Sequence, residues 1–234
     1  MPRATRRILI TAGPTHEPID AVRYLGNRSS GETGLAVAAE AARRAWAVRI
    51  LLGPTPGAPT DSRIAVHRFR TADDLEQLLH RHFHEADVLV MAAAVSDFRP
   101  SVSVEQLGRK IRRTDAGLTL DLERTPDLLA ACAERRRPGQ FLVGFALDEQ
   151  GDLDASARDK LVGKGLDLLV ANPLETMEAT TIRATVYEPA QEGARVAAST
   201  PGPVSKAEFA VWLMDLIEER ATRGHDAEGS ASNP

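Results

Sequence analysis

Lysine is rare in this chain of 234 residues, and its few positions are candidates for chemistry. Of the 29 basic side chains only four are lysine, namely Lys110, Lys160, Lys164 and Lys206. A lysine ammonium is a compact point charge, whereas the arginine guanidinium is a planar fork, so the two are not interchangeable at a reacting centre. Each lysine is therefore a candidate for a role that needs a compact cation, although chance retention would explain any single one.

A loop rich in serine and glycine follows the first apolar segment. That segment ends in Thr-Ala-Gly-Pro-Thr at 11–15, and the loop runs on to Asn-Arg-Ser-Ser-Gly-Glu-Thr-Gly at 27–34. Ser29 and Gly31 would present a hydroxyl and backbone N–H groups at the positive end of a helix, which favours phosphate binding. Gly31 and Gly34 would let a ligand and the sheet approach the backbone closely. A serine N-cap with glycines needed for packing is the structural alternative.

Small residues and a carboxylate follow another buried apolar segment, in Ala-Ala-Ala-Val-Ser-Asp-Phe at 92–98. In an open α/β sheet, ligands bind at the carboxyl ends of the strands, and alanines there leave room for one. Asp97 would accept a hydrogen bond from a ligand hydroxyl or amide, or it would cap a turn.

Four cations occupy the five positions 109–113, in Arg-Lys-Ile-Arg-Arg. Because alternate side chains of a strand point to one face, such a strand could hold a polyphosphate. A solvated edge strand is the alternative.

Histidine and cysteine give weaker signals. Only His80 and His84 of the alternating histidines at 80, 82 and 84 would share a helix face, so a solvated helix end is favoured over a metal site. Cys132, the single cysteine, is interpreted as a small buried residue rather than a nucleophile. His16 would either touch a substrate or support a turn.

Segments of β-branched and aliphatic residues alternate with segments of helical period, which predicts parallel strands joined by helices. The predicted strands are 7–11, 48–52, 64–69, 87–92, 141–146 and 167–171. The predicted helices are 31–45, 72–84, 126–136, 154–164 and 204–220. A hairpin-like stretch is predicted at 110–113 with 118–122, and an antiparallel strand pair at 181–187 with 194–198. The expected fold is a doubly wound, Rossmann-like α/β fold with a mostly parallel sheet and this antiparallel pair towards the C-terminus.

The composition predicts one globular domain over 1–224, followed by a disordered tail at 225–234. With 43% apolar and 26% charged residues, the chain is neither collagen-like nor a coiled coil. The apolar runs at 88–95 and 141–147 are far shorter than the roughly 18 residues of a membrane span. A net charge of -4 does not favour nucleic-acid binding. Without a signal-peptide pattern, the protein is expected in the cytoplasm.

Several motifs together resemble one enzyme family, and they occur in the family's order. They are Thr-Ala-Gly-Pro-Thr at 11–15, Glu-Pro-Ile-Asp-Ala-Val-Arg-Tyr-Leu-Gly-Asn-Arg-Ser-Ser-Gly at 17–31, Ala-Ala-Ala-Val-Ser-Asp-Phe at 92–98, Lys-Ile-Arg-Arg at 110–113, Pro-Asp at 126–127, Val-Gly-Phe-Ala at 143–146 and the segment 157–172. Over about residues 6 to 172 the chain resembles phosphopantothenate-cysteine ligase, in a stand-alone form without the flavin-dependent decarboxylase domain. Each motif alone would be weak, whereas the ordered set is specific.

The resemblance implies a two-step ligation on the route to coenzyme A. The family activates the carboxylate of 4'-phosphopantothenate with a nucleoside triphosphate, usually CTP in bacteria and ATP in eukaryotes, giving an acyl-nucleotide and pyrophosphate. The amine of L-cysteine then displaces the nucleotide. The resemblance also implies Mg²⁺, CTP in preference to ATP, a homodimer and a separate decarboxylase protein as a candidate partner, and it leaves the metal-binding residues unassigned.

The resemblance also assigns roles by position. Asn27 would contact the acyl-nucleotide, and Lys110 would neutralise the transition state at the α-phosphate, so these two are the expected catalytic residues. Arg23 would bind the phosphate of phosphopantothenate in the other subunit of a dimer. The other substrate-binding residues are Ala93, Ala94 and Asp97. The nucleotide-binding residues are Gly13, Ser29, Gly31, Gly34, Phe145, Lys160 and Lys164, with Phe145 facing the base.

Departures from the family pattern leave the base preference open. The chain reads Ala-Leu-Asp at 146–148 where Ala-Ala-Glu is usual, Gly26 replaces a serine or threonine, and 173–178 replaces a glycine-rich loop. Two other functions would suit the same fold. A nicotinamide or flavin oxidoreductase is disfavoured because the loop lacks the Gly-x-Gly-x-x-Gly fingerprint. An inactive nucleotide-binding regulatory module is disfavoured because Asn27 and all three family lysines are present.

Overall fold

The computed structural model of the protein describes residues 5–112, 117–148, 153–177 and 179–230. The strands are β1 (Arg7–Ala12), β2 (His16–Pro18), β3 (Tyr24–Gly26), β4 (Ala47–Leu52), β5 (Ala65–Arg68), β6 (Val88–Met91), β7 (Phe98–Pro100), β8 (Leu122–Arg124), β9 (Phe141–Asp148), β10 (Leu168–Pro173), β11 (Thr181–Ile182), β12 (Thr185–Pro189), β13 (Ala194–Ser199) and β14 (Val204–Ser205). The α-helices are α1 (Glu32–Arg43), α2 (Ala72–His82), α3 (Val104–Leu107), α4 (Leu128–Glu134), α5 (Leu153–Gly163) and α6 (Lys206–Ser230). Short 3₁₀ turns cover Phe83–Glu85 and Leu174–Thr176.

The central sheet has eight strands in the order β13-β12-β10-β9-β6-β1-β4-β5. From β5 to β10 all neighbours are parallel, and β12 and β13 add an antiparallel pair at one edge. The chain first runs outward from β1 through β4 to β5, and then returns to place β6 on the other side of β1. This reversal opens a crevice at the carboxyl ends of β1 and β6, where doubly wound folds bind ligands. The predicted doubly wound, mostly parallel sheet is confirmed.

Helices cover both faces of the sheet. In β1, Ile8 and Ile10 pack against α1 and α6, while Leu9 between them packs against α2, α4 and α5. This alternation follows from the two-residue period of a strand. Helices on both faces of the sheet supply residues to the crevice at its carboxyl edge.

The predicted hairpin of 110–113 with 118–122 is wrong. Residues 110–112 form no strand, Arg113 lies outside the described residues, and β8 pairs with β7 instead. The backbone on either side of Lys110 instead forms hydrogen bonds with residues 20 and 21. The Ala21 N–H donates to the Arg109 carbonyl at 3.2 Å. The Ile111 N–H likewise donates to the Asp20 carboxylate at 3.0 Å.

The predicted strand 181–187 is divided in two. Its first part, β11, pairs with β14 in a separate sheet, and its second part, β12, forms the predicted antiparallel pair with β13. The division lies at Arg183 and Ala184, because Thr181 and Ile182 pair with β14 whereas the pairing with β13 begins at Thr185. Beside it, the Ala184 N–H donates to the Thr200 hydroxyl at 3.1 Å and the Thr200 N–H donates to the Ala184 carbonyl at 3.0 Å.

The last helix is longer than the sequence predicts. Helix α6 continues beyond Arg220 to Ser230 and so overlaps the segment 225–234 that was predicted as a disordered tail. Residues 231–234 lie outside the described part, and the domain limit near 224 stays a prediction. None of the helices in the described ranges is long and apolar enough to cross a membrane.

Cys132 and the histidines are largely structural. Cys132 is fully buried, and burial raises the pKa of its thiol to about 11, which keeps it protonated. The described residues hold no cluster of three or more His, Cys, Asp and Glu side chains that suits a metal. His82 is buried against His67, with ring centroids 4.4 Å apart, so the helix end is less solvated than expected. The His16 ring stacks on the Tyr24 ring, with the ring centroids 3.7 Å apart.

Candidate active site

A pocket of about 930 Å³ opens at the crevice between the ends of β1 and β6. It brings together segments that are far apart in the chain: the loop before α1, the loop after β6, the start of α4, and side chains of α5, β9 and β10. The predicted site residues that line it are Asn27, Ser29, Gly31, Gly34, Ala93, Ala94, Asp97, Phe145, Lys160 and Lys164. The crevice therefore unites most of the site predicted from sequence.

The amino-terminal end of α1 forms one wall. Its N-cap is Gly31, in a left-handed conformation (φ 73°), and no side chain within the described ranges caps the helix. The hydroxyls of Ser29 and Ser30 approach the N–H groups of Gly31 and Glu32, each at 3.4 Å, and these long contacts leave the helix end open to an anion. The alternative of a serine N-cap is thus not what the structure adopts.

Gly34 has a packing role within the same wall. A Cβ atom at this position would lie 2.5 Å from the Cβ of Ala12, so only glycine lets α1 lie this close to β1. Gly13 lies beneath the pocket rather than in its lining, with a φ of 84° that L side chains rarely adopt. Both glycines support the site through the backbone.

Two threonines of the first strand and its loop fix the loop after β6. The Thr11 hydroxyl accepts from the Ala93 N–H at 3.0 Å, and the Thr15 hydroxyl accepts from the Ser96 N–H at 3.1 Å. Sequence reasoning did not single out these hydroxyls, although their place at the end of a buried strand was a signal. Asn27 joins the same loop, because its Nδ2 donates to the Val95 carbonyl at 3.1 Å.

The opposite wall carries cations. Nζ of Lys164 lies 2.7 Å from Oδ2 of Asp127, which also caps α4 by accepting from the Ala130 N–H at 3.0 Å. Burial raises the pKa of Asp127, but the bonds from Lys164 and Ala130 outweigh it and hold this pKa below its usual value. Lys160 lies on the same helix and also lines the pocket. The Thr125 hydroxyl oxygen is buried beside them and has no hydrogen-bond partner among the described residues.

Arg23 and Lys110 do not line the pocket. The Arg23 guanidinium donates to the Ile111 carbonyl at 2.6 Å and pairs with Asp20 at 3.0 Å. Lys110 is exposed and precedes Ile111 directly. These two predicted residues therefore share a second patch, separate from the pocket of their own chain.

Comparison with known proteins identifies the family. Residues 3–220 match the model of the DNA/pantothenate metabolism flavoprotein C-terminal domain, abbreviated DFP. The chain belongs to this family. The coenzyme A biosynthesis bifunctional protein CoaBC of Mycobacterium bovis is 44% identical over 178 residues, which are 72% of this chain and 42% of that protein. This chain thus spans about two fifths of such a relative.

Solved structures agree with the DFP assignment. The C-terminal domain of a CoaBC protein is 32% identical, has a TM-score of 0.75, and is matched over 92% of this chain and 94% of that one. A Cab2 mutant in complex with phosphopantothenate-cysteine is 19% identical and has a TM-score of 0.75, over 97% of this chain and 89% of that one. At 19% identity, the similarity to the Cab2 mutant shows the fold alone.

Further polar residues line the pocket of this DFP domain. The sequence analysis named Lys206 as a candidate cation without assigning it to this site, and it gave no site role to Arg28, Arg124 or Asn172. Lys206, the one lysine without a family role, lines the pocket and pairs with Glu32 at 2.7 Å. Arg28 and Arg124 line it too, as does Asn172, whose Nδ2 donates to the Thr176 hydroxyl at 2.8 Å. Lys206 is 174 residues from Glu32 in sequence, so no local pattern could have joined them.

Proposed function

We propose that this protein ligates 4'-phosphopantothenate to L-cysteine, using a nucleoside triphosphate, to give phosphopantothenoylcysteine for coenzyme A biosynthesis. The observation that carries the proposal is the single crevice that unites the open end of α1, Asn27, Lys160 and Lys164. The likeness to the CoaBC C-terminal domain over more than nine tenths of both chains supports it. An acid–amino-acid ligase needs such a site, in which phosphates and a carboxylate meet.

In the first step, a carboxylate oxygen of phosphopantothenate attacks the α-phosphorus of the nucleotide. A phosphorus–oxygen bond forms, the bond to the β-phosphate breaks, and pyrophosphate leaves. The open N–H groups of α1 on one wall and Lys160 and Lys164 on the other would hold the triphosphate in line and offset charge on the leaving group. Mg²⁺ would arrive with the nucleotide, since such sites use phosphate oxygens with one or two carboxylates.

In the second step, the neutral amine of cysteine attacks the acyl carbonyl. The new amide bond replaces the carbon–oxygen bond to the nucleotide, which leaves as the monophosphate, and the proton lost by the amine passes to solvent. An amide nitrogen has two N–H donors, so the bond from Asn27 to Val95 orients the group and leaves a second donor for the carbonyl oxygen. Asn27 would stabilise that oxygen as negative charge develops on it.

The nucleotide base would face Phe145, which lies on β9 in the wall of the pocket. CTP is the proposed co-substrate in preference to ATP, as for bacterial members of the family. The Asp148 side chain, whose carboxylate departs from the usual glutamate, lies outside the described residues, as does Glu178. A panel of nucleoside triphosphates decides this preference directly.

A homodimer is the proposed assembly, with each active site shared between two chains. The patch that holds Arg23 and Lys110 lies beside exposed apolar side chains of two small sheets, including Tyr24 on β3 and Phe98 on β7. These sheets touch through β2 and β7. A second copy related by a two-fold axis would cover the apolar side chains and bring Arg23 and Lys110 to the partner's pocket.

The location and the partner follow from the same proposal. The ligase would act in the cytoplasm on small molecules, with a separate decarboxylase protein acting on its product.

The test is to mix the protein with phosphopantothenate, Mg²⁺, L-cysteine and each triphosphate in turn. Pyrophosphate should need phosphopantothenate and a triphosphate, and the amide should need cysteine as well. Reduction of a nicotinamide cofactor without any triphosphate would instead support the oxidoreductase alternative.

A further inference from the structure

Lys206 and Glu32 form an ion pair in the wall of the pocket, and the proposed steps do not use it. The Nζ and Oε2 atoms are 2.7 Å apart, and the lysine side chain is only 11% exposed whereas the glutamate is 57% exposed. A nearly buried ammonium needs a counter-charge to offset the loss of its hydration. The more exposed glutamate is the member of the pair that can move into solvent.

The backbone that carries Lys206 is firmly held. Strand β14, which ends at the preceding residue, pairs with β11. Ser205 and Glu208 also cap α6 reciprocally, since the Ser205 hydroxyl accepts from the Glu208 N–H at 3.2 Å and the Glu208 carboxylate accepts from the Ser205 N–H at 2.9 Å. Lys206 is therefore presented to the pocket from a fixed position.

Lys206 reaches the pocket from the opposite side of the sheet to Lys160 and Lys164. Helix α6 packs with α1 on one face, while α5 packs on the other. The open N–H groups of α1 would contact a triphosphate from the α1–α6 layer, but they carry only partial charge, so a full cation in this layer would strengthen the hold on the phosphates. Lys206 is the lysine in the described structure that can do so.

Resting on the proposed function, we propose that Lys206 is a further nucleotide-binding residue, which exchanges Glu32 for a phosphate oxygen when the triphosphate binds. Glu32 then competes with the nucleotide for one ammonium. The two members of the pair should therefore have opposite effects on nucleotide affinity. A pair that only tethers α1 to α6 would give effects of the same sign.

The experiment measures the dissociation constant of Mg-CTP and Mg-ATP by calorimetric titration for the wild type, Lys206→Ala and Glu32→Gln. Loss of one charged phosphate contact should weaken binding about tenfold in Lys206→Ala. Removal of the competing, largely exposed carboxylate should tighten binding by roughly threefold in Glu32→Gln. Lys206→Arg, which keeps the charge, should recover part of the lost affinity.

Arg63→Ala is the matched control, because it breaks an exposed ion pair with Asp61 that lies outside the pocket lining. Its nucleotide affinity should equal that of the wild type. Unchanged affinity in Lys206→Ala, or weaker binding in Glu32→Gln, overturns this inference while the proposed function stands. A wild type that binds no triphosphate overturns both. Thermal unfolding of each variant confirms that the fold is intact.

Discussion

Lys110 is the predicted catalytic residue whose surroundings in the single chain least resemble an active site. Lys110 is exposed and lies outside the pocket lining. The family resemblance nevertheless implies that it neutralises charge in the transition state at the α-phosphate. Because Lys110 is exposed, its substitution should not disturb the fold, so a change in activity can be assigned to the lost side chain.

Lys110→Ala should lower the rate of ligation by at least about a hundredfold, because one preorganised charge on a developing oxyanion contributes roughly 3 kcal/mol. Lys110→Arg should not restore the rate fully, since the guanidinium is planar and larger. Steady-state product formation, with circular dichroism as the check on folding, makes the measurement. Near-normal turnover in Lys110→Ala would return this residue to the role of a solvated surface cation.

At the scale of single residues, sequence reasoning found those whose neighbours in sequence carry the signal. Ser29, Gly31 and Gly34 lie in one short segment, at the end of the loop and in the first turn of α1, and its composition indicates a phosphate site. The sequence named Lys206 as a candidate cation but could not place it in the pocket beside Glu32, because that place depends on α6 packing against α1. The separation of Arg23 from the pocket is also a tertiary property, set by its bonds to Asp20 and Ile111.

At the scale of elements, the contact between α1 and β1 depends on Gly34. A methyl group there would lie 2.5 Å from the Ala12 Cβ and 3.2 Å from the Thr11 carbonyl oxygen. Overpacking of this kind typically costs about 1–3 kcal/mol, which outweighs the gain in helix propensity.

Gly34→Ala should therefore lower the free energy of unfolding in urea and also weaken nucleotide binding. Gly163→Ala is the matched control, because a Cβ on this helical glycine of α5 meets no atom within 4 Å. The control should not lower stability and should raise it by less than about 1 kcal/mol, because Gly163 is the last residue of α5 and the full propensity difference applies to helix interiors. Equal effects of the two substitutions would contradict the close contact of α1 with β1.

The edge formed by β5 and the end of α2 should be sensitive to acid. Burial lowers the pKa of His67 and of His82, and the nearby Arg49 lowers both further; Glu85 partly offsets this at His82. A histidine with a lowered folded pKa contributes stability that is fully present above its unfolded pKa of about 6.5, and loses it as pH falls through the folded pKa.

The free energy of unfolding should thus fall as the pH is lowered from 7.5 to 5. His82→Leu, which keeps a buried apolar side chain, should make this decline shallower, whereas His84→Ala alters an exposed side chain and serves as the control. Urea titrations at several pH values make the comparison. An unchanged pH dependence in His82→Leu would show that the contact between His67 and His82 is not its source.

The parallel strands and their helices were predictable because each carries a local pattern. The pattern in β1 is a continuous run of aliphatic residues, which suits a strand buried on both faces, and the pattern in α1 is helical spacing. The pairs β2–β3 and β7–β8 were missed because strands of three residues are too short to show alternation. The division of the strand at 181–187 was also missed, because β11 pairs with β14, and no local pattern shows which distant strand is the partner.

In the whole molecule, the predicted site residues lie in two places, the pocket and the patch that holds Arg23 and Lys110. This separation lets mutants test whether each active site is shared between two chains. If Arg23 and Lys110 act in the partner's pocket, mixed dimers of Arg23→Ala and Asn27→Ala contain one site without any lesion. Equilibrated mixtures should then recover about a quarter of the wild-type activity, although both parents are nearly inactive.

Lys110→Ala supplies the control for this complementation. Mixed with Asn27→Ala it should also recover activity, whereas mixed with Arg23→Ala it should not, because each shared site would then lack one residue of the patch. Native mass spectrometry establishes that subunits exchange. Exchanged mixtures of Arg23→Ala and Asn27→Ala that stay as inactive as their parents would show that no site is shared in this way.

The central claim is that one pocket forms an acyl-nucleotide and passes its acyl group to cysteine, and oxygen transfer tests it most directly. Phosphopantothenate labelled with ¹⁸O in its carboxylate is incubated with the protein, Mg²⁺, cysteine and CTP, and the products are analysed by mass spectrometry. We expect one ¹⁸O atom in each nucleoside monophosphate released, with the other kept in the amide product. Label in inorganic phosphate, or amide formed without any labelled monophosphate, would contradict it.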